Sequence, residues 1–275
     1  MPLRPMDPMR PGRDSRRERH ARPWRRRAVL AGGVLLAAAW TKGVPFLATL
    51  GGTDLTFRDL PDLPPFRMLM SDGTVSGGMN GSALLVGLPG VTPADPALSI
   101  LREHVREYPW AALYGADPQL GVPVAVFSDV RCPSCRVMEA RLAEVVAADP
   151  AAVRVVRHEL PIFGAASVTA ARALLAANLR DAAHDLRNRL MRTPAVTDLD
   201  YVLQVAAQAG LDPDLLRRDM ASERVTDALA HSRAVADVFG FIGTPAFGVG
   251  RTVFMGTTST GVLRSLVSAG SPRMP

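Results

Sequence analysis

Cysteine is scarce in this chain, since its 275 residues include only Cys132 and Cys135, within the stretch CPSC. A structural disulfide normally links distant segments, because closing a loop of about four residues stabilises a fold little. A zinc site needs about four ligands, but CPSC supplies two and the scattered histidines lack ligand spacing. A c-type haem site requires histidine after the second cysteine, where Arg136 stands. These absences favour a redox-active pair, with a static disulfide or metal carriage as alternatives.

Beyond residue 27, the chain has no excess of basic over acidic residues. The net charge is +6, but residues 1–27 alone hold ten arginines against three acidic residues. The remainder holds 22 basic and 23 acidic residues. The part expected to fold therefore lacks the basic face of a nucleic-acid-binding protein, and we expect no nucleic acid among its partners.

No uncharged apolar run reaches the roughly 20 residues that a membrane-spanning helix needs. The longest, residues 28–41, is followed by Lys42, and apolar residues then continue to Leu50. A basic region (1–27) before a short apolar core is typical of an export signal, and RRRAVLAGG resembles a twin-arginine signal. If Lys42 snorkels, residues 28–50 instead form a membrane anchor with the arginines on the cytoplasmic side. Both interpretations place the rest of the chain in the periplasm or another extracytoplasmic space; a buried helix of a cytosolic protein is the alternative.

Residues 51–115 show little periodicity and are interpreted as a linker or accessory segment. The stretch FRMLMSDGTVSGG contains the turn signal Asp72-Gly73, which favours a short hairpin. Apolar residues at helical spacing predict a helix over residues 97–108.

The fold class predicted for residues 116–272 is α/β. A valine-rich strand, an amphipathic helix and a second strand form a βαβ unit with a right-handed crossover. Alanine- and leucine-rich segments over residues 165–239 predict a subdomain of three or four helices. Two short strands and a closing helix follow it. The predicted strands are Gly121–Asp129, Ala152–Leu160, Gly243–Gly250 and Arg251–Gly256.

The two cysteines lie where the first of these strands gives way to a helix. This order predicts Cys132 at the N-cap, Pro133 at the first helical position and Cys135 one turn further on. The helix dipole and unpaired amides stabilise a thiolate at Cys132, and Arg131 and Arg136 add positive charge. We therefore expect Cys132 to be the exposed attacking thiol and Cys135 to resolve the mixed disulfide.

Several motifs taken in order resemble the DsbA-like family of thiol-disulfide oxidoreductases. They are FSDVRCPSC, HELPIFG, AARALLAA and, after the helical segment, GTPAF. The resemblance implies a thioredoxin-like fold with an inserted all-helical subdomain. It implies a cis bond between Thr244 and Pro245 that turns residue 244 toward the cysteines, with Pro133 and Ser134 in supporting roles. It also implies a redox-active Cys132–Cys135 disulfide as the only redox group, without a metal or another cofactor.

Departures from the family pattern leave the redox direction open. Ser134 stands where many strong oxidants carry histidine, and Val126 stands where some members carry a buried carboxylate. Asp129 is nearby, but we expect it to cap or turn the strand end. Thr244 also precedes the proline in reducing and isomerising relatives. We expect an oxidant, with a disulfide reductase or isomerase as the alternative.

The expected substrates are cysteine-containing exported proteins, and regeneration requires a membrane redox partner. A tethered binding module with a static disulfide is the alternative from another class. We expect a monomeric catalytic domain. Two side-chain predictions accompany this interpretation: His158 and Glu159 form a solvated strand end, and the phenylalanines are core residues rather than the lining of a groove (Phe163, Phe239, Phe241 and Phe247).

Overall fold

The computed structural model describes residues 55–70, 96–116, 120–193 and 196–270. The predicted export signal or anchor (residues 28–50) and the Asp72-Gly73 turn lie outside these ranges. Within them, every helix is too short or too polar to cross a bilayer.

A six-stranded mixed sheet forms the centre of the described fold, in the order β1-β2-β6-β5-β3-β4. Strands β3 and β4 are parallel, and β5 runs antiparallel to both β3 and β6. Strand β2 joins the sheet parallel to β6, and β1 is antiparallel to β2. The strands are β1 (Thr56–Asp59), β2 (Arg67–Met70), β3 (Val122–Ser128), β4 (Val153–Glu159), β5 (Ala246–Val249) and β6 (Thr252–Met255).

Nine helices follow β2 or lie between the later strands in the described part of the chain. They are α1 (Pro96–Glu107), α2 (Pro109–Tyr114), α3 (Pro133–Ala148), α4 (Ala165–Asn178), α5 (Ala183–Arg192), α6 (Leu199–Gln208), α7 (Pro213–Met220), α8 (Glu223–Phe239) and α9 (Thr260–Ala269). Helix α3 connects the parallel strands β3 and β4, so the predicted βαβ unit is present. The predicted thioredoxin-like fold is confirmed.

The inserted helical region contains five helices, α4 to α8, rather than three or four. Two breaks were not predicted. The chain turns between α4 and α5 at Asp181, which adopts a positive φ of 56°. It turns again before α8, where the Ser222 hydroxyl accepts a hydrogen bond from the amide of Val225 and so begins a new helix. Both breaks depend on single polar residues within otherwise helical patterns.

The segment interpreted as a linker contributes to the sheet and its core. Strands β1 and β2 form an antiparallel hairpin whose connection contains the cis Pro64-Pro65 bond, so RMLM is the second strand of this hairpin. The hairpin predicted at Asp72-Gly73 is a different one and lies outside the described residues. Tyr114 at the end of α2 is buried, and its hydroxyl donates to the carbonyl of Gly250 at 2.7 Å. A Cβ at Gly248 of β5 would lie 2.6 Å from that hydroxyl, so glycine permits this close approach. Helix α2 thus packs against β5 of the sheet through Tyr114.

Candidate active site at the start of helix α3

Helix α3 begins as the sequence predicts. Cys132 is the N-cap with extended backbone angles, Pro133 is the first helical residue, and Cys135 lies in the first turn. The amide of Cys135 donates to the Cys132 sulfur at 3.4 Å. Both cysteines are free thiols in this structure. One amide left unpaired by the start of the helix is therefore directed at Cys132 Sγ.

The peptide bond between Thr244 and Pro245 is cis, and this bond lies beside the cysteines. The Cys132 sulfur lies 3.3 Å from the carbonyl oxygen of Thr244, across 112 residues of sequence, and the protonated thiol donates to it. The Thr244 hydroxyl is buried and has no hydrogen-bond partner among the described residues. It lies close enough to both sulfurs to lower the pKa of each cysteine.

The predicted exposure of Cys132 is wrong. Cys132 is 3% exposed and Cys135 is 1% exposed, whereas Pro133 and Ser134 between them are exposed. The reason is tertiary: the Thr244 carbonyl lies against the Cys132 sulfur, and both cysteines pack in one apolar cluster with Leu186 of α5. Exposure therefore does not distinguish the two thiols.

The two cysteines differ in the pKa of their thiols. The pKa of Cys132 is lowered to about 6, chiefly by the hydrogen bond from the Cys135 thiol, which outweighs the effect of burial. The Thr244 side chain and the backbone amides of Cys135 and Ser134 lower it further. The pKa of Cys135 is raised well above its ordinary value, first by its hydrogen bond to Cys132 and then by burial. At neutral pH the pair therefore holds one thiolate, on Cys132, and one thiol, on Cys135.

Arg131 and Arg136 form hydrogen bonds to backbone carbonyls near Cys132. Arg131 donates from Nη1 to the carbonyl of Phe163 at 2.7 Å, and Arg136 donates from Nη2 to the carbonyl of Val130 at 3.1 Å. The lowered pKa of Cys132 is explained by the Cys135 thiol, by the nearby Thr244 side chain, and by the backbone amides of Cys135 and Ser134. The two guanidinium groups connect the segment before α3 to its surroundings.

Asp129 joins the end of β3 to the segment that follows β4. Its buried carboxylate accepts hydrogen bonds from the amides of Arg131 at 2.8 Å and Ile162 at 2.9 Å, and from the Ser167 hydroxyl at 2.9 Å. It also accepts from the amide of Phe163 at 3.3 Å. The expected capping role is thus present, and it fixes residues 162–163 beside the CPSC loop.

The prediction of a solvated end for β4 is wrong, because His158 and Glu159 are 5% and 3% exposed. His158 donates from Nε2 to the carbonyl of Leu113 at 3.0 Å and stacks on Phe127 at 4.3 Å. Burial lowers the pKa of His158 to about 4. The helical region and α2 cover this strand end, which the strand's own sequence does not reveal.

Glu159 forms a buried ion pair with Arg187 of α5, which sequence reasoning missed. Arg187 also donates from Nη1 to the Ser128 hydroxyl at 3.3 Å. Burial raises the pKa of Glu159, although the positive charge of Arg187 opposes this effect. The partners are 28 residues apart in different elements, so no local pattern in the sequence links them.

Exposed apolar side chains occupy the segments that flank Cys132. We call them the apolar rim: Val137 (45% exposed), Ile162 (40%), Phe163 (44%) and Ile242 (66%). Phe163 is thus not a core residue as predicted. The other three phenylalanines are buried as predicted (Phe239, Phe241 and Phe247).

The part of the chain that the structure describes contains no evident metal-binding site. No group of three or more histidine, cysteine or acidic side chains is arranged to hold a metal ion there. The chemistry that the described arrangement supports is exchange between a thiolate and a disulfide, since it pairs a low-pKa thiol with a second thiol one helical turn away.

Comparisons with known proteins agree with this chemistry. The family of DSBA-like thioredoxin domains matches residues 123–268, more than half of the chain. A thioredoxin-like oxidoreductase from Silicibacter pomeroyi DSS-3 is 35% identical, with a TM-score of 0.55 over 58% of this chain and 96% of that one. No curated protein matches the chain.

Two further solved structures share the fold at lower identity. The thiol-disulfide exchange protein alpha-DsbA2 from Wolbachia pipientis is 19% identical, with a TM-score of 0.54 over 64% of this chain and 99% of its own. A periplasmic thioredoxin-like protein from Salmonella enterica serovar Typhimurium is 22% identical, with a TM-score of 0.51 over 65% of this chain and 98% of its own.

Proposed function

The chain belongs to the family of DSBA-like thioredoxin domains, which are thiol-disulfide oxidoreductases, and from this premise we propose that it oxidises thiols of exported proteins through Cys132 and Cys135. The reaction takes place in the periplasm or another extracytoplasmic space. Residues 1–50 direct the chain there, as a twin-arginine-like signal or, through residues 28–50, as a membrane anchor.

The observation that carries the proposal is the geometry at the start of α3, where the amide of Cys135 donates to the Cys132 sulfur at 3.4 Å and both thiols lie within one helical turn. The pKa of Cys132 is lowered to about 6, whereas the pKa of Cys135 is raised. A stabilised thiolate favours the reduced form of the pair, and a protein whose reduced form is stabilised is an oxidant. A low pKa also makes Cys132 the better leaving group when a mixed disulfide is resolved.

The exchange proceeds in two balanced steps. A substrate thiolate attacks Cys132 Sγ of the oxidised pair, so a substrate–Cys132 disulfide forms and Cys135 leaves and takes up a proton. A second substrate thiolate then attacks the substrate sulfur of that mixed disulfide. Cys132 leaves as a thiolate, the substrate gains a disulfide, and the pair has accepted two electrons. A membrane redox partner removes these electrons and restores the Cys132–Cys135 disulfide.

The surroundings of the pair suit an unfolded protein substrate. The apolar rim offers contacts to the apolar side chains that such a chain exposes. Thr244 and Pro245 lie beside Cys132, where their backbone can pair with an extended substrate segment. Pro133 and Ser134 are exposed between the cysteines and form part of the same contact surface.

A trapping experiment tests the roles of the two cysteines. The Cys135→Ser variant is incubated with a peptide whose cysteine carries a glutathione disulfide. Attack by Cys132 transfers the peptide to Cys132 and releases glutathione as its thiol, and the adduct persists because no resolving thiol is present. We expect mass spectrometry to place the adduct on Cys132, and Cys132→Ser to form none. A static disulfide predicts that the adduct on Cys132 forms no faster than on an ordinary cysteine with a pKa of about 8.5.

A turnover experiment tests the direction of the reaction. A reduced dithiol peptide is mixed with oxidised glutathione, with and without catalytic amounts of the protein. The proposal predicts faster formation of the peptide disulfide. A reductase or isomerase using the same residues instead accelerates reduction or rearrangement of peptide disulfides and contributes little to their formation.

A further inference from the structure

A second concave site lies along the free edge of β4, which has only β3 as a neighbour among the described strands. This cavity has a volume of about 480 Å³ and is lined by residues of β4, α4, α5 and the end of α2. Its lining includes neither cysteine, nor Thr244, nor any residue of the apolar rim. It therefore calls for an explanation separate from disulfide exchange.

The cavity is basic. Its lining contains Arg154, Arg157 and Arg187 against one carboxylate, Glu159. Glu159 pairs with Arg187, and Arg157 pairs with Glu139 of α3. Arg154 forms no ion pair within the described residues; its Nη1 donates to the carbonyl of Tyr114 at 2.9 Å. One guanidinium charge in the lining is therefore left without a counter-charge.

Two donors of these arginines are also unused. The Nε groups of Arg154 and Arg187 are buried and have no hydrogen-bond partner in the described part of the chain. The Arg187 side chain is only 4% exposed. A buried donor left without a partner destabilises the folded state, so two such donors in one cavity need an explanation. Charged side chains protect sheet edges from pairing, but that role explains exposed guanidinium groups rather than buried Nε donors.

The start of helix α5 adds a third source of positive potential. Its N-cap, Ala182, has no side chain that could bond the first amides, and Ala183 and His184 of the first turn line the cavity. Unpaired amides at a helix start attract anions. The acidic residue of this turn, Asp185, is exposed and does not line the cavity.

We propose that this cavity binds a small oxyanion, a phosphate or carboxylate group, between Arg154, Arg187 and the start of α5. The unpaired Nε–H groups and the first-turn amides donate to the anion, and Arg154 supplies its counter-charge. The volume is in the range of small-molecule sites and too small for a folded partner. The proposal stands independently of the redox function, since the two sets of residues are distinct.

Binding of two probe anions tests the proposal. The full chain is titrated with inorganic phosphate and, separately, with succinate, at constant ionic strength maintained with sodium chloride. We expect saturable heat in calorimetry for at least one probe and a Tm that rises with its concentration, because a ligand of the folded state stabilises it. The probe that binds more tightly identifies the phosphate or the carboxylate as the recognised group.

Three variants locate the site. Arg154→Gln removes the unpaired charge and its Nε donor, and we expect at least about a tenfold loss of affinity. Asn178→Asp places a negative charge in the lining at an exposed position and should have a similar effect. Arg172→Gln is the matched control, because Arg172 also donates from Nη1 to a backbone carbonyl, that of Met220, but lies outside the cavity. Non-saturable heats, or equal losses in the Arg154 and Arg172 variants, would overturn the proposal.

Discussion

Replacement of Cys135 by alanine removes the group that lowers the pKa of Cys132 most, the thiol that donates a hydrogen bond to the Cys132 sulfur. A hydrogen bond to a charged group contributes about 1.5–3 kcal/mol, and one pKa unit corresponds to about 1.36 kcal/mol. Loss of this bond therefore raises the pKa of Cys132 by about 1–2 units. From the value of about 6 in the intact pair, we expect about 7–8 in Cys135→Ala.

The assay is the pH dependence of alkylation by iodoacetamide, since the rate follows the thiolate fraction. Burial of Cys132 slows alkylation at every pH but leaves the midpoint of the curve unchanged. In the wild type only Cys132 reacts near neutral pH, because the pKa of Cys135 is raised. Cys135→Ser is the matched control: its hydroxyl can still donate to the Cys132 sulfur, so its midpoint stays closer to the wild-type value.

Two results would refute this reasoning. The first is a common midpoint for the alanine and serine variants, which would mean that the side chain at position 135 does not stabilise the thiolate. The second is a wild-type midpoint of about 8.5, the pKa of an unperturbed cysteine.

Three further predictions concern the surroundings of the pair. Thr244→Val raises the alkylation midpoint of Cys132 by less than Cys135→Ala does, because the Thr244 side chain lowers the pKa of Cys132 less than the Cys135 thiol does. The variant does not lower the Tm, because the buried hydroxyl it removes has no partner among the described residues. A lower Tm would contradict this. Glu159→Leu lowers the free energy of unfolding, measured in urea, by about 3–5 kcal/mol, because it leaves the buried Arg187 unpaired. Adding Arg187→Met restores most of this loss. A double variant no more stable than the single one would contradict this expectation. His158 has a pKa of about 4 when folded and binds a proton more readily when unfolded, so the free energy of unfolding falls between pH 6.5 and 4, by about 3 kcal/mol from this residue. His158→Phe should show a smaller fall, and equal pH dependence in both proteins would exclude this role.

Local signals predicted the centre of the fold. The valine-rich strand β3 is buried along nearly its whole length, and Pro133 marks the first residue of α3. The position of Thr244 beside Cys132 followed from the order of motifs, because no local pattern connects residues 112 positions apart. The local geometry of the CPSC segment was thus readable from the sequence, and its contact with residue 244 came from the family resemblance.

The burial of particular side chains and their partners from distant parts of the chain could not be predicted from the sequence. Cys132 is buried because the Thr244 carbonyl lies against it, and Glu159 is buried because α5 brings Arg187 to the end of β4. Both facts depend on elements that pack together from distant parts of the chain. The same applies to β1 and β2, whose four-residue strands join the sheet through β6 although their sequences show little strand periodicity.

The reduction potential of the Cys132–Cys135 pair tests the proposed oxidant role most directly. The protein is equilibrated in glutathione buffers of graded composition, and the oxidised fraction is measured after trapping the thiols. Stabilisation of the Cys132 thiolate predicts an oxidising potential, between about −120 mV, the value of DsbA, and about −180 mV, that of protein disulfide isomerase. A potential between about −200 and −270 mV, in the range of glutaredoxins and thioredoxin, would contradict the oxidant role. A pair that never equilibrates with glutathione would contradict thiol-disulfide exchange altogether.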